Sequence, residues 1–491
     1  MSGSLFLTAY PAYASTGGLD ELRAREYGYL DERGHVYLDY TGAGLPSCAQ
    51  LEAHADRLRE GCFGNPHSEN PTSSAATALI ERTRATILSF FNASPDEYAV
   101  IFTPNATGAC RLVAEAYPFE AGTRLVLTAD NHNSVNGIRE YARSRGATTG
   151  YIAPDSAGLR VSTDAVRRAL GARPNSGPNG TNGMNGTNGR AGPGRGLFAY
   201  PAQSNFTGAQ YPLDWVELAH ERGYDVLLDA AAYVSANRLD LGAVHPDFVP
   251  VSWYKVFGYP TGVGCLIARR SALARLSRPW FSGGTIKVVS ALGGWHVPAT
   301  DEAAFEDGTL NFHAIPDVTV GLAWIEGIGI DVIHERVACL TGWLLERLHS
   351  LRHRDGTPMV RVYGPPDGDR RGGTVALNLL DPNGKIIDER AVTRDAAAWN
   401  ISLRTGCFCN PGAGEGAFAI DDDLLTGQAS RANLSIDEYL PMLGLPSGGA
   451  IRVSLGVVSN LCDVELFLRF VERTYQDRTP DYAGLVPRER C

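Results

Sequence analysis

Between about residues 70 and 270, short apolar runs alternate with amphipathic stretches. EYAVIF, TRLVLT, GLFAY, DVLLD and DFVPVS have the length and side-chain content of strands, whereas the stretch from Ser73 to Phe91 and the one after Asn105 have helical spacing. That alternation predicts an α/β fold, a mainly parallel sheet covered by helices with ligands at the carboxyl ends of its strands. Past Pro316 the pattern changes. A long helical stretch from Val318 through Leu351, with Gly327 and Gly329 as its break, precedes strand candidates near 373 to 379 and 450 to 455 and a final helix at 463 to 474. These predict a second, smaller layered domain. Residues 172 to 196, ARPNSGPNGTNGMNGTNGRAGPGRG, interrupt the first domain. Their Gly, Asn, Pro and Thr cannot bury enough apolar surface to offset ordering, which predicts a disordered surface insertion.

The chain has 491 residues, 44% of them hydrophobic and 20% charged, and no apolar run of the ~18 residues that a membrane span needs. Its start, MSGSLFLTAYPAYAS, lacks the basic residues that precede the apolar stretch of a secretory leader, so a cytoplasmic protein is expected. Nine cysteines, an odd number scattered from Cys48 to Cys491, fit a reducing compartment better than a disulfide framework. A net charge of -10 without a long Lys/Arg cluster argues against a nucleic-acid surface and for a small-molecule substrate.

The densest chemistry lies in RTGCFCNPGAGEG, residues 404 to 416. Zinc needs about four ligands, and a lone C-x-C with no second Cys/His pair supplies only half of them. Two cysteines one residue apart in a strand-like stretch point to opposite faces, which disfavours a bond between them. A thiolate nucleophile remains, and Arg404 nearby would raise its thiolate fraction. The polar, glycine-rich stretch that follows, 410 to 448 with Asp421, Asp422 and Asp423, reads as a mobile lid and not as a metal site. Elsewhere, VLLDAAAY ends a strand with Asp229, and VSWYKVFGYPTGVG sets Lys255 among Trp253, Tyr254, Val256 and Phe257. Apolar neighbours desolvate an ammonium and favour the free amine, which forms Schiff bases; an aldehyde cofactor with a pyridinium nitrogen then needs a carboxylate such as Asp229. A capping aspartate and a surface lysine explain these two residues equally well. No strand is followed by G-x-G-x-x-G, so a nicotinamide site is set aside.

Taken in order, YLDYTGAGLPS, FGNPHSENPTSS, DNHNSVNGIRE, PAQSNFTGAQYPL, LLDAAAYVSANRLDL, DFVPVSWYKVFGYPTGVG, FEDGTLNF and RTGCFCNPGAG resemble the aminotransferase class V domain of molybdenum cofactor sulfurases, with the cysteine desulfurases as wider relatives. The resemblance runs from about Tyr37 to Val471. It implies a fold type I transferase dependent on pyridoxal phosphate (PLP). Residues 66–316 would form a large domain on a mainly parallel seven-stranded sheet, 317–491 a smaller α/β domain carrying the nucleophile, and 1–65 a segment contributing to the small domain. It further implies PLP bound to Lys255 with Asp229 on its ring nitrogen, His132 stacked on the ring and managing protons, and Asn205 near the phenolic oxygen. Thr107, Ser252 and Tyr254 would contact the phosphate, and Thr309 would be supplied across a homodimer interface. Cys409 would accept sulfur with Cys407 as an accessory, and Arg452 would grip the substrate carboxylate, with Arg404 beside it.

The implied reaction is that of an L-cysteine desulfurase, which moves sulfur to an enzyme persulfide, releases L-alanine and serves a sulfur acceptor: a small molecule, the molybdenum cofactor or a protein. Two departures bear on it. Many desulfurases have Asp-Gly-Ala-Gln where this chain has Asp-Ala-Ala-Ala, so Ala232 gives no glutamine contact; and Gly414 stands where a further sulfurase cysteine often lies, which removes any relay through it. Eukaryotic sulfurases deliver sulfur through a fused C-terminal domain, for which a chain ending at Cys491 leaves no room, so the acceptor stays open. A PLP-dependent C-S or selenocysteine lyase of specialised metabolism would keep Lys255 without needing Cys409. A scaffold without activity would need none of Lys255, Asp229, His132, Cys409 or Arg452.

Overall fold

The computed structural model describes residues 2–155, 158–171, 195–420, 435–442, 445 and 447–488. The insertion expected at 172 to 196 lies almost wholly outside these residues, as do Asp421, Asp422 and Asp423 of the expected lid.

After the N-terminal helices comes β1 (Val36–Tyr37). Seven strands then build the large sheet: β2 (Tyr98–Thr103), β3 (Arg124–Thr128), β4 (Thr148–Ile152), β5 (Gly196–Pro201), β6 (Tyr224–Asp229), β7 (Phe248–Ser252) and β8 (Gly264–Arg269). Their spatial order is β2-β8-β7-β6-β5-β3-β4, parallel throughout except for β8, which runs against both of its neighbours. Every residue of β5 and β7 is buried, because helices cover both faces; this is why these strands read as unbroken apolar runs. The helix Ala106–Ala116 follows β2 and packs on β7 and β8. Asn105 caps it by accepting the Gly108 N–H at 2.9 Å. The helix Pro71–Phe90 starts in the same manner, with Asn70 accepting from Ser73 at 3.0 Å and proline at its first position.

Beyond the large sheet, β9 (Ile286–Ser290) and β10 (Trp295–Pro298) form an antiparallel hairpin. The helical stretch after Pro316 is two helices, Pro316–Ile328 and Ile330–Ser350, separated at Gly329, whose φ of +92° suits only glycine. Strands β11 (Val360–Tyr363), β12 (Thr374–Leu379), β14 (Arg404–Gly406) and β15 (Ala450–Ser454) form a second sheet in the order β11-β12-β15-β14, all antiparallel. Between its strands, β13 (Ile401–Ser402) pairs in parallel with β1. The helix Leu461–Tyr475 closes the described fold.

Two buried arginines fasten the N-terminal segment to this second region. Arg336, fully buried, forks Asp20 at 2.7 and 2.8 Å and donates to Thr16 Oγ1 at 3.0 Å. Arg23 bridges Asp31 and Asp463. Only the Arg23–Asp463 pair is buried on both sides, and removing one of its partners strands a buried charge at a cost of about 3–5 kcal/mol.

Gly258 ends the helix Trp253–Phe257 with φ +81°, and a Cβ there would overlap the backbone of Leu45 and Pro46. Gly329 faces only Val332 Cγ2 at 3.6 Å. We therefore predict that Gly258→Ala destabilises the protein by more than about 3 kcal/mol and Gly329→Ala by about 1–3 kcal/mol, backbone strain alone. Urea denaturation checks the order; equal losses would mean that the contact with Leu45 is dispensable.

Candidate active site

The carboxyl ends of β2, β3, β5, β6 and β7 lie along one edge of the large sheet, and the loops leaving them converge. β7 ends at Ser252 and passes directly into the helix Trp253–Phe257, which packs Trp253, Val256 and Phe257 into the core and leaves Lys255 facing the cavity at the strand ends. Burial lowers the Lys255 pKa; the Asp229 carboxylate opposes this, while the Arg452 and Arg404 guanidinium groups reinforce it. Asp229 is the last residue of β6, and its Oδ1 accepts the Ala231 N–H at 3.0 Å. Lys255, Asp229, His132, Asn205 and Thr107 line one cavity of about 130 Å³, together with Ser252 and Tyr254. Ala232 is in its wall and reaches nothing polar through its methyl group. Two larger cavities, of about 360 and 570 Å³, lie beside Thr309 and beside the β9–β10 hairpin. Only the small one holds a desolvated lysine with a carboxylate, which decides where the chemistry sits.

His132 caps the turn that follows β3. Its Nδ1 accepts the Ser134 backbone N–H at 3.1 Å, so the neutral ring carries its proton on Nε2. Burial, and then the Lys255 cation, lower its pKa to about 4. Ser134, which the sequence did not single out, joins His132 Nδ1 at 2.9 Å to Thr107 Oγ1 at 2.7 Å. Ser252 Oγ accepts the Ala106 N–H at 2.8 Å in the first turn of the helix Ala106–Ala116. Hydroxyls at the positive end of an eleven-residue helix suit a phosphate. The donor set as a whole suits a cofactor with an aldehyde for Lys255, a basic ring nitrogen for Asp229 and a phosphate for this helix start.

The cysteine stretch corrects the sequence reading. β14 ends at Gly406, and Phe408 and Cys409 follow in a turn with φ of +55° and +54°. The cysteines are not on opposite faces of a strand. Gly406, at φ +112°, and the Asn-Pro-Gly that follows are turn signals that outweigh the local alternation. Cys407 is disulfide-bonded, against the expectation of an all-reduced set, whereas Cys409 is a free, exposed thiol. The Cys409 carbonyl accepts the Asn133 N–H at 2.7 Å, and Asn205 Nδ2 donates to the Phe408 carbonyl at 2.8 Å. Asn205 thus spends its amide on this turn.

Arg452, on β15, is 3% exposed. It donates to the Asn205 carbonyl at 2.9 Å and to Asp39 Oδ1 at 3.1 Å, and its guanidinium lies 4.8 Å from the centre of the Phe408 ring. Burial lowers its pKa to about 10, so it stays a cation at neutral pH, and the Cys409 thiol lies within its field. Arg404, directly across from Arg452 in the sheet, is half-exposed and forks Asp39 at 2.7 to 3.1 Å, which raises its pKa. Arg404 is therefore held by Asp39, a residue the sequence reading passed over, and Arg452 is the cation beside the thiol. Thr309 stands apart: it is exposed, accepts from Asn65 Nδ2 at 3.2 Å and lines the 360 Å³ cavity, not the one holding Lys255.

Residues 36–175 and 180–467 match the family model for Aminotransferase class-V. The chain belongs to the aminotransferase class-V family. This class-V chain is 35% identical over 487 residues to the molybdenum cofactor sulfurase of Homo sapiens, covering 95% of this chain and 52% of that protein. It is 34% identical to that of Solanum lycopersicum, covering 98% and 60%, and 33% identical to that of Arabidopsis thaliana, covering 92% and 58%. The chain spans about half the length of the curated relatives it matches. Among solved structures, the apo cysteine desulfurase of Thermococcus onnurineus superposes with a TM-score of 0.73 at 23% identity, covering 92% of this chain and 97% of that one. The cystine C-S lyase C-DES with its product cysteine persulfide superposes at 0.65 and 18%, covering 89% and 97%. These superpositions establish the shared fold: a mainly parallel seven-stranded sheet with helices on its faces.

The depressed His132 pKa gives a pH signature. Folding keeps the ring neutral, so its stabilisation is complete above the unfolded value of 6.5 and is lost as pH falls toward about 4, because the unfolded chain then binds the proton first. The loss attributable to this group is at most about 3 kcal/mol. In urea denaturation between pH 4 and 8, His132→Asn, which keeps the cap, should flatten this slope; an unchanged slope would assign it elsewhere.

Proposed function

We propose that this class-V protein is a PLP-dependent L-cysteine desulfurase that moves sulfur from L-cysteine to a persulfide on Cys409 and releases L-alanine, acting as a sulfur donor like the molybdenum cofactor sulfurases it resembles. One observation carries the reading: the free thiol of the C-x-C pair sits on a turn hydrogen-bonded to the loops that bear His132 and Asn205, beside the buried Arg452. Cys407, being in a disulfide, has no thiolate to offer.

When bound, PLP supplies an electron sink for the negative charge that develops at the substrate Cα. Asp229 would hold a proton on the cofactor's ring nitrogen. Lys255, desolvated and so inclined to the neutral amine, takes the Cα proton on Nζ. Arg452 anchors the substrate carboxylate, for which it must share its guanidinium with Asp39. The Cys409 thiolate attacks the substrate sulfur; the S–S bond forms as the Cβ–S bond breaks, the bonding pair stays on the amino acid, and alanine results once Cβ takes a proton and Lys255 returns to Cα the one it removed. His132, neutral with its proton on Nε2, offers a hydrogen bond where a charge would compete with Lys255. Thr107, Ser252 and Tyr254 would hold the cofactor's phosphate.

We assign 66–316 to a cofactor-binding domain and 317–491 to a small domain that residues 1–65 help to build; the pairing of β1 with β13 and the Arg336–Asp20 fork support this. We also propose a homodimer in which Thr309 serves the partner's site. Its support is the β9–β10 hairpin, which exposes Val288, Val289, Leu292, Trp295 and Val297 on one small element, an apolar cluster of the kind that a partner covers. Among the described residues no helix is long and apolar enough to cross a membrane, and the seven free cysteines favour the cytoplasm. The acceptor is a small molecule, the molybdenum cofactor or a protein.

Purified protein should be yellow with bound PLP, and Lys255→Ala should lose that absorbance; a colourless protein that takes up no added PLP contradicts the reading. With L-cysteine, Cys409→Ala should release alanine on the order of 10²-fold more slowly or worse, while Cys407→Ala keeps most of its rate. Mass spectrometry after one turnover should find one added sulfur, about 32 Da, on the Cys409 peptide. Release of pyruvate, ammonium and sulfide, undiminished in Cys409→Ala, would point instead to a C-S lyase. Sedimentation should give a dimer, and full activity in a monomer would remove the role of Thr309.

A further inference from the structure

We propose that Asp130 is a positioning residue for the nucleophile: through Asn410, its buried carboxylate fixes the left-handed turn carrying Cys409 onto the loops that carry His132 and Asn205. The proposal rests on the reading of Cys409 as the sulfur acceptor.

Asp130 is fully buried, two residues before His132, and among the described residues no cation is within reach of it. It is held by three neutral donors instead. Ser204 Oγ donates to Oδ1 at 2.8 Å, Asn410 Nδ2 to Oδ1 at 2.7 Å and Tyr211 O–H to Oδ2 at 2.7 Å. All three donor residues are buried as well. A desolvated carboxylate without a counter-ion is among the costliest groups a core can hold, and persists only where its lone pairs are well satisfied. Burial raises its pKa and the three donors draw it back. What this acid achieves is to join three segments far apart in sequence: its own loop after β3, the loop after β5, and the nucleophile turn.

The turn needs such an anchor. Phe408 and Cys409 are successive residues with side chains in the left-handed region, each costing of order 1 kcal/mol or more, a conformation that persists only where the surroundings impose it. Asn410 is the hub. Its Nδ2 also donates to Asn205 Oδ1 at 2.9 Å, and its Oδ1 accepts the Ala413 N–H at 3.2 Å, starting the helix Pro411–Ala417. A Cβ on Gly412 would strike the Ala129 carbonyl, so this helix start lies directly on the Asp130 loop. Phe408 is gripped between the Phe206 ring, 5.1 Å away, and Arg452. Without the link from Asp130 to Asn410, the turn keeps the bonds from Asn133 and Asn205 to its carbonyls but loses the one charge-assisted bond that ties it to the buried core. A misplacement of about 1 Å at the attacking atom lowers a rate by about 10²-fold.

The test compares Asp130→Ala, Asp130→Asn, Asn410→Ala and the double alanine variant, each loaded with PLP. Hydrogen exchange of peptides covering 404–418 should quicken about tenfold in both single alanine variants, with the β6 and β7 peptides unchanged and the bound-cofactor absorbance retained. For alanine release from L-cysteine, kcat should fall about 10- to 100-fold with KM within about twofold. The double variant should be no worse than either single one, because both break the same link. Asp130→Asn, which keeps an acceptor oxygen for Asn410 and offers its amide to the Tyr211 oxygen, should recover much of the rate. If Asp130→Ala does not fold, Asn410→Ala alone must show the local exchange and the kcat loss. Unchanged exchange at 404–418, exchange raised throughout the protein, or additive losses would overturn the proposal. Wild-type alanine release by Cys409→Ala would overturn the functional reading instead, and the exchange data would still judge the clamp.

Discussion

A desolvated ammonium group is unstable unless a carboxylate holds its charge or the charge is shed, and Lys255 sits at that balance. Burial pushes its pKa down and Asp229 pushes it up, so small changes in either decide how readily the amine is freed for chemistry. The pair is fixed by the sheet. Asp229 ends β6 and Lys255 stands three residues beyond the end of β7, two strands paired in parallel through Leu227 and Phe248. A one-residue slip would turn one of them away from the cavity. The buried strands, the covering helices and Gly258 against Leu45 all serve to hold that register.

The second sheet answers the first. β14 and β15 bring two arginines side by side, and Asp39, reached from β1, takes most of Arg404 and one arm of Arg452. Two guanidinium groups and one carboxylate leave one unit of positive charge, which is what the proposed grip on a substrate carboxylate requires. The contact of Arg452 with the Phe408 ring ties that charge to the turn carrying Cys409. The unpaired positive charge and the placement of the thiol therefore share one side chain.

Much of this was legible in the sequence, for physical reasons. Unbroken apolar runs gave the five strands singled out, because a sheet covered on both faces leaves no polar alternation to confuse. The break at Gly329 was visible because only glycine takes that backbone angle. Other parts were not legible. The exposed edge strand β4, TTGYI, has no apolar pattern, and β8 is apolar enough but gives no sign that it runs antiparallel. The turn at Phe408 and Cys409 was misread as extended. Asp39 and Asp130 went unremarked inside motifs that were quoted, because their partners lie 413 and 280 residues away and a pattern read along the chain carries no trace of them.

The central claim is that one desolvated lysine, and no other, carries the cofactor. The sequence makes this unusually decidable, since its lysines are Lys255, Lys287 and Lys385, and the last two are exposed. Borohydride reduction of the yellow protein fixes the cofactor to whichever amine holds it, and peptide mass spectrometry then locates it. The account predicts a pyridoxyl group on the peptide containing Lys255 and on neither of the others; modification of Lys287 or Lys385, or no modification in a protein that binds PLP, would contradict it.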